Sequence, residues 1–303
     1  MAPNPAQIKQ EQLAADYGWA LSVLKSNPEL NKLFNAAVAD TWSPNMFTAK
    51  LRATKWYQSR SESQRQNEVL RKADPAEWAR RLAKSSATIA DQYFALTGTK
   101  LDPKRAQAYG TTSLMLGWSD AEIMDNIGKT VQSQSLMQKG LGGTLGAAEQ
   151  QLRQAAEDYG LDFSQQALAS QLNNIARQTT DVTQIVDNYR NTAKSKYAAY
   201  ADQLDQGMTM RDIAEPYKQM MAKTLELSDK SLTINNPSIQ QALTWRPAPK
   251  GGKPQPPQGM ALWQFEQNLK NDPRWNKTQN AQDSIMAAGR KVLSDMGLLG
   301  AEG

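Results

Sequence analysis

DPAEWARRLAKSSATIADQYFALTG, residues 74–98, decides the fold class. Asp74 is a good N-cap, and Pro75 suits the first helical position because the N–H it lacks has no helical partner there. The helix after it carries Trp78, Leu82, Ile89 and Phe94 as its apolar residues, and Gly98 is a natural stop. The stretch predicts one long helix, signed at both ends.

The same pattern extends outward in both directions. Asp102-Pro103 repeats the start signal. Upstream, Ile8, Leu13, Tyr17, Leu21 and Leu24 read as one stripe ending near Asn27-Pro28, since proline cannot continue a helix interior. A short helix follows from Pro28 to Val38, with Leu30, Leu33, Phe34 and Ala37 inward. Downstream, amphipathic segments are predicted at 145–160, 164–178, 181–203 and 210–227, the third marked by Val182, Ile185, Val186 and Tyr189. Ala and Gln are abundant and β-branched runs are missing. The expected fold is all-α, a multi-helix body.

Gly140-Leu141-Gly142-Gly143 is unsuited to a helix interior and reads as the break between an N-terminal lobe, 1–139, and a second lobe, 144–245. Residues 246–259, RPAPKGGKPQPPQG, hold five Pro and three Gly, which disfavours both helix and sheet. They read as a Pro/Gly-rich linker, either a spacer or an extended ligand for an aromatic groove. Residues 260–303 read as a C-terminal helical hairpin. Its first helix carries Leu262, Phe265 and Leu269 and stops at Asp272-Pro273-Arg274-Trp275. Its second starts near Asn280, carries Ile285, Met286, Val292, Leu293 and Met296, and ends before Gly297. A segment of about forty residues has a thin core, so the hairpin is expected to dock on the body or on a partner. Trp245, Trp263 and Trp275, with Phe265, are the candidate partner-binding residues, because Trp is enriched in binding hot spots. Ordinary core packing is the alternative for each, and it is the expectation for Trp42, Trp56, Trp78 and Trp118.

One unit recurs four times: a capping residue, an apolar residue four positions on, and another four after that. The copies are Ser43-Phe47-Leu51, Ser119-Ile123-Ile127, Asp181-Ile185-Tyr189 and Thr209-Ile213-Tyr217, preceded by Trp42, Trp118, Thr180 and Met208. Glu122 and Gln184 stand where a capping box would be completed, and Asp212 is expected to do so less well. The spacings of 76, 62 and 28 residues do not make a solenoid. Similar helix starts, or a duplicated helical hairpin, both account for the pattern.

The 303 residues include no Cys and no His. That excludes structural zinc, disulfides, Ser-His-Asp chemistry and Cys-His chemistry. A carboxylate mechanism or a carboxylate-bound cation passes this filter, but Glu11/Asp16, Asp120/Glu122, Glu157/Asp158 and Asp202/Asp205 read as solvated helix faces. Gly140–Gly143 lacks the lysine and hydroxyl of a P-loop, and no EF-hand spacing occurs. No catalytic, cofactor-binding or metal-binding residue is assigned. No stretch approaches the roughly 18 apolar residues of a membrane span, and the first residues lack the apolar core of a signal peptide.

The net charge of +5 allows weak DNA contact. Lys50, Arg52, Lys55, Arg60, Arg65, Arg71, Lys72, Arg80 and Arg81, interleaved with Trp56 and Tyr57, would form a single-strand platform, diluted by Glu62, Glu68, Asp74 and Glu77.

Three blocks carry a resemblance: WSPNMFTAKLRATKWY (42–57), GMTMRDIAEPYKQMMAKTLEL (207–227) and LWQFEQNLKNDPRWNKTQNAQDSIMAAGRKVLSDMGL (262–298). Their order resembles that of virion structural proteins of tailed bacteriophages that infect actinobacteria. The resemblance implies a non-enzymatic virion component made in the host cytoplasm and placed at the tail, the portal–tail axis or inside the capsid. Its expected partners are other virion proteins and copies of itself as a homo-oligomer, with no cofactor. A DNA-contacting ejection protein, and a carboxylate-based cell-wall hydrolase, are the rival expectations.

Overall fold

The computed structural model describes residues 5–228, 231–251 and 253–296. It is 74% helical, with 18 α-helices and no strand among the described residues, so the all-α expectation holds. The chain divides into two units, described in turn. The first comprises 1–147 and 173–179; the second comprises 148–172 and 180–303.

The first unit holds α1 (Pro5–Asp16), α2 (Leu21–Ser26), α3 (Pro28–Ala39), α4 (Pro44–Arg52), α5 (Lys55–Gln58) and α6 (Glu62–Ala73). These surround Val23, Leu24, Leu30, Phe34, Phe47 and Trp56, all buried. Tyr17 stacks on Phe47 at 4.5 Å and meets Phe34 edge-on at 6.4 Å, while its hydroxyl donates to the Trp42 carbonyl at 2.9 Å. Each large side chain withdrawn from water here contributes about 1.5–3 kcal/mol before entropy is counted. Glu29 of α3 caps a neighbour: its carboxylate accepts from the Lys55 and Trp56 amides at 2.8 and 2.9 Å. The single stripe expected from Ile8 to Leu24 is instead two helices. The chain turns at Gly18 (φ 77°), which sends Tyr17 into the core and leaves Ile8 exposed.

α7 (Pro75–Thr97) realises the quoted stretch, with Asp74 accepting from the Glu77 amide at 2.9 Å and Gly98 closing it at φ 68°. Trp78, Ile89 and Leu96 are buried; Phe94, read as inward, is 50% exposed. α8 (Pro103–Leu116) packs on α7 through small residues. A Cβ on Gly110 would lie 2.5 Å from Ser86 Oγ, 3.0 Å from its amide nitrogen and 3.2 Å from its Cα. α9 (Asp120–Thr130), α10 (Ser133–Lys139) and the start of α11 (Gly143–Asp158) follow. The glycines expected to separate two lobes pack against the end of α7. The Gly142 amide donates to the Thr97 carbonyl at 3.0 Å, and a Cβ on Gly98 would sit 2.7 Å from Gly142 Cα. Gly140–Gly143 therefore lies inside the first unit, and the 1–139 and 144–245 division gives way to a boundary after Ala147. The glycines are there because two backbones approach, not because the chain needs a hinge.

α12 (Gln165–Ala176) begins in the second unit and ends in the first. The second unit also holds the rest of α11, with α13 (Val182–Lys196), α14 (Ala201–Asp205), α15 (Met210–Leu225), α16 (Pro237–Leu243), α17 (Leu262–Lys270) and α18 (Gln279–Asp295). The segment expected to run unbroken from 181 to 203 stops at Tyr197, followed by a 3-10 turn, Ala198–Tyr200. Tyr197 is buried, donates to the Gly160 carbonyl at 2.9 Å and accepts from Gln240 Nε2 at 2.7 Å. Gly297, expected to end the last helix, lies outside the described residues; α18 closes at Asp295.

The four repeated starts all cap as read. Ser43, Ser119, Asp181 and Thr209 accept from the amides of Met46, Glu122, Gln184 and Asp212. All eight apolar residues of the pattern are buried. Two details differ. Asp212 completes its capping box, accepting from the Thr209 amide at 3.1 Å and hydroxyl at 2.7 Å. Gln184 turns its carbonyl to the Thr180 hydroxyl instead, at 2.9 Å.

Gly110→Val tests the α7–α8 contact. Removing a helical glycine gains up to about 1 kcal/mol, but overpacking against the Ser86 backbone costs about 1–3 kcal/mol. Net destabilisation in urea unfolding is expected, with Gly110→Ala milder; unchanged stability of the valine variant would refute the close approach.

Candidate functional site

The C-terminal part of the second unit gathers the candidate residues. α15 carries Tyr217 on its buried face. The Tyr217 ring meets Phe265 of α17 edge-on at 5.4 Å. Its hydroxyl donates to the Met260 carbonyl at 2.6 Å and lies 3.3 Å from the Tyr200 hydroxyl. Burial, then the bond to Tyr217, pushes the Tyr200 phenol well above its ordinary value.

The Pro-rich stretch 246–259 is closed at both ends. The Gln258 amide donates to the Trp245 carbonyl at 3.1 Å, and the Met260 amide to the Ala242 carbonyl at 2.9 Å. Lys250 and Lys253 bridge across a turn at Gly251. A segment whose two ends are hydrogen-bonded together is a surface loop and adds no reach, so the expected linker is not a tether. The hairpin expected at 260–303 is likewise not independent, because Phe265 and Leu269 pack α17 into the unit that contains α15.

Asp272-Pro273-Arg274-Trp275 is a clasped turn. Arg274 grips the Asp272 carboxylate with two guanidinium nitrogens at 2.9 and 2.6 Å, and its amide donates at 2.9 Å. Arg274 holds the Asp272 carboxyl down to about 2. The turn aims Trp275 at a cleft of about 700 Å³ between α15, α17 and α18. Lys270 Nζ stands 5.9 Å from the Trp275 ring and pairs with Glu266 at 2.8 Å.

α18 is held at its first turn. Glu226, the C-cap of α15 at φ 53° and ψ 40°, accepts from the Gln279 and Asn280 amides at 2.9 and 2.8 Å. Asn280 Nδ2 donates to the Lys223 carbonyl at 2.9 Å. Ala281 is the one described α18 residue that is buried, and Ile285, Met286, Val292, Leu293 and Met296 are exposed. Nothing in the sequence marks Glu226 or Tyr217 as organisers, and the α18 stripe, in a hairpin expected to dock on the body or on a partner, stays exposed on the body. Glu226 carried no local signal, because it caps a helix more than fifty residues away.

The structure separates the four candidate partner-binding residues. Trp263 is 66% exposed on the outer side of α17. Trp245 is half-buried beside the closed loop, and Trp275 is half-buried at the cleft. Phe265 is 2% exposed and belongs to the α15–α17 contact, so it cannot serve as a docking anchor.

The expected DNA platform keeps Lys50, Arg52, Lys55, Arg71 and Lys72 exposed, but loses other members. Trp56 is buried and cannot stack a base. Arg60 pairs with Glu68 at 2.7 Å, Arg65 lies 3.9 Å over the Tyr57 ring, and Glu77 takes both Arg80 and Arg81. Members of the acidic pairs are engaged too. Glu157 and Asp158 bind Arg211 at 2.9 and 3.0 Å, Asp205 binds Lys194 at 2.6 Å, and Glu122 serves its capping box. Glu77, Glu122, Asp125, Asp212, Glu215 and Asp272 all have carboxyls lowered by hydrogen-bond partners. Among the described residues no three carboxylates gather as for a metal, and no helix is long and apolar enough to cross a membrane.

The chain matches no family model, no curated protein and no solved structure.

Two predictions follow from the clasp and the cap. The depressed Asp272 carboxyl stabilises the turn at pH values above the ordinary aspartate value of about 3.9. That contribution is lost as pH falls toward 2. Trp275 is expected to become more solvent-exposed over this window, and already at neutral pH in Asp272→Asn, read by quenching against a Trp275→Phe control. Glu226→Ala removes two amide acceptors, about 1 kcal/mol on the scale of a lost cap. Amide exchange is expected to speed up in the first turn of α18 and not in α17; uniform protection across both would contradict the cap.

Proposed function

We propose that the chain is a non-enzymatic assembly component of a bacteriophage particle, placed at the tail, at the portal–tail axis or inside the capsid. It acts through helical protein–protein contacts. The observation that carries this reading is the uncovered apolar face of α18, which belongs with the exposed Trp263 to the block of sequence that most resembles virion proteins. A helix with a wide apolar stripe is stabilised by burying it, and exposed patches of this kind mark interaction sites.

The chemistry supports the same reading. With no imidazole or thiol, proton transfer falls to carboxylates. A hydrolase needs one carboxyl raised toward neutrality beside a second, whereas each displaced carboxyl described above is lowered. The ejection-protein reading loses its aromatic platform with Trp56 in the core.

In the phage that encodes it, a chain truncated after Thr278 is expected to fold but to be depleted at least tenfold from purified particles, measured by quantitative mass spectrometry. Truncation removes α18 while leaving the Tyr217–Phe265 contact. Normal incorporation of the truncated chain would count against α18 as the assembly contact, and absence of the full-length chain from particles would remove the virion reading itself.

A further inference from the structure

Ile285 is 71% exposed, Met286 64%, Val292 51%, Leu293 42% and Met296 67%. At 100° per residue these five, with Gly289 among them, occupy an arc of about 120° on α18. Asp283, Arg290, Lys291 and Asp295 all fall outside that arc, so covering it buries no charge. The cleft lies on a different side of the helix, lined by Asn280, Asp283, Ser284 and Ala287. No described residue covers the stripe.

We propose that a second copy of this chain covers it, with two α18 helices paired antiparallel. This rests on the assembly reading above and names one of its contacts. Area argues for a pair. Side chains of this size at these exposures offer on the order of 600 Å² per copy, so two copies would cover about 1,200 Å², the lower edge of stable specific interfaces. Register argues for the second copy being the same helix. Ile285, Gly289, Val292 and Met296 follow the four-three-four spacing of a coiled-coil seam. In antiparallel alignment Ile285 of one copy meets Met296 of the other, and Val292 of one fills the notch left by Gly289 of the other. Met286 and Leu293 then meet along one flank, each twice. A parallel pair would set Gly289 against Gly289, leaving a void at the centre, and would align the two helix dipoles unfavourably.

The test uses the full-length chain. Sedimentation velocity from low to high micromolar concentration is expected to show a monomer–dimer equilibrium. Val292→Asp is expected to weaken it about a hundredfold or more, because it places a charge in the seam. Lys291→Glu, on the helix side away from the stripe, is expected to leave it unchanged. Because Val292 is half-exposed in the single chain, circular dichroism and thermal melting of Val292→Asp should match the parent; a variant that melts early is replaced by Met296→Asp. The natural chain has no cysteine, so introduced thiols report the register alone. A mixture of Gly289→Cys and Val292→Cys chains is expected to cross-link to each other in preference to themselves.

A wild-type chain that stays monomeric at every concentration overturns the pairing, as does a dimer that survives both aspartate variants or cross-links like with like. A monomer that sediments with phospholipid vesicles overturns it in favour of a membrane surface. A monomeric chain that still enters particles sinks the pairing and spares the assembly reading. A dimeric chain absent from particles does the reverse.

Discussion

The second unit depends on Tyr217. Its ring holds α17 against α15 through Phe265, and its hydroxyl ties down the Met260 carbonyl just where the Pro-rich stretch ends. Gly259 must be a glycine here, since a Cβ would collide with the Tyr200 hydroxyl that shares this site. Three buried polar atoms satisfying one another leave little freedom in how the chain re-enters the body after residue 258. A proline-rich segment that composition alone marks as a spacer thereby becomes a closed loop, and the helix after it part of the body. The stretch adds no reach, and α18 extends from the body with its apolar face exposed.

Helix starts in both units are governed by the same need. The first four amides of every helix have no partner in its own ladder. Ser43, Ser119, Asp181 and Thr209 meet that need from the adjacent residue. Glu29 and Glu226 meet it from a distance, each offering both carboxylate oxygens to the start of another helix. The distant caps do more than satisfy amides. They fix where α5 and α18 begin relative to α3 and α15. Glu226 does this from a left-handed backbone conformation that a glycine would occupy more easily. The residue retained there supplies the carboxylate that glycine lacks. α18 leaves the body from that cap with its apolar face uncovered, which connects a local hydrogen-bonding requirement to the proposed contact between copies.

The candidate site was legible in fragments. Trp263 and Trp275 were singled out because tryptophan near a thin helical segment is a plausible anchor, and both remain accessible at the surface or the cleft. Phe265 was grouped with them by proximity in sequence. It faces the other way because two positions along an α-helix turn a side chain by about 200° from Trp263, toward the body that Leu269, four positions further on, also faces. The α18 stripe was visible as periodicity, yet periodicity reports only that a face wants burial. It does not say what supplies the cover.

The sequence by itself determined the fold class, the helix starts and the side of most helices that turns inward. Those properties are set within a few residues of chain, by side-chain oxygens reaching adjacent amides and by apolar spacing at the helical period. It also determined that no imidazole or thiol chemistry is available. Only the tertiary structure decided that Gly140–Gly143 is a close backbone crossing, that the Pro-rich stretch is closed on itself and that Trp56 is removed from the basic face. Each of these depends on a partner distant in the chain: Gly98, the Trp245 and Ala242 carbonyls, and the core around Phe34. No local pattern records which distant group a glycine, a proline loop or a tryptophan will meet, because that is settled by how the helices pack together.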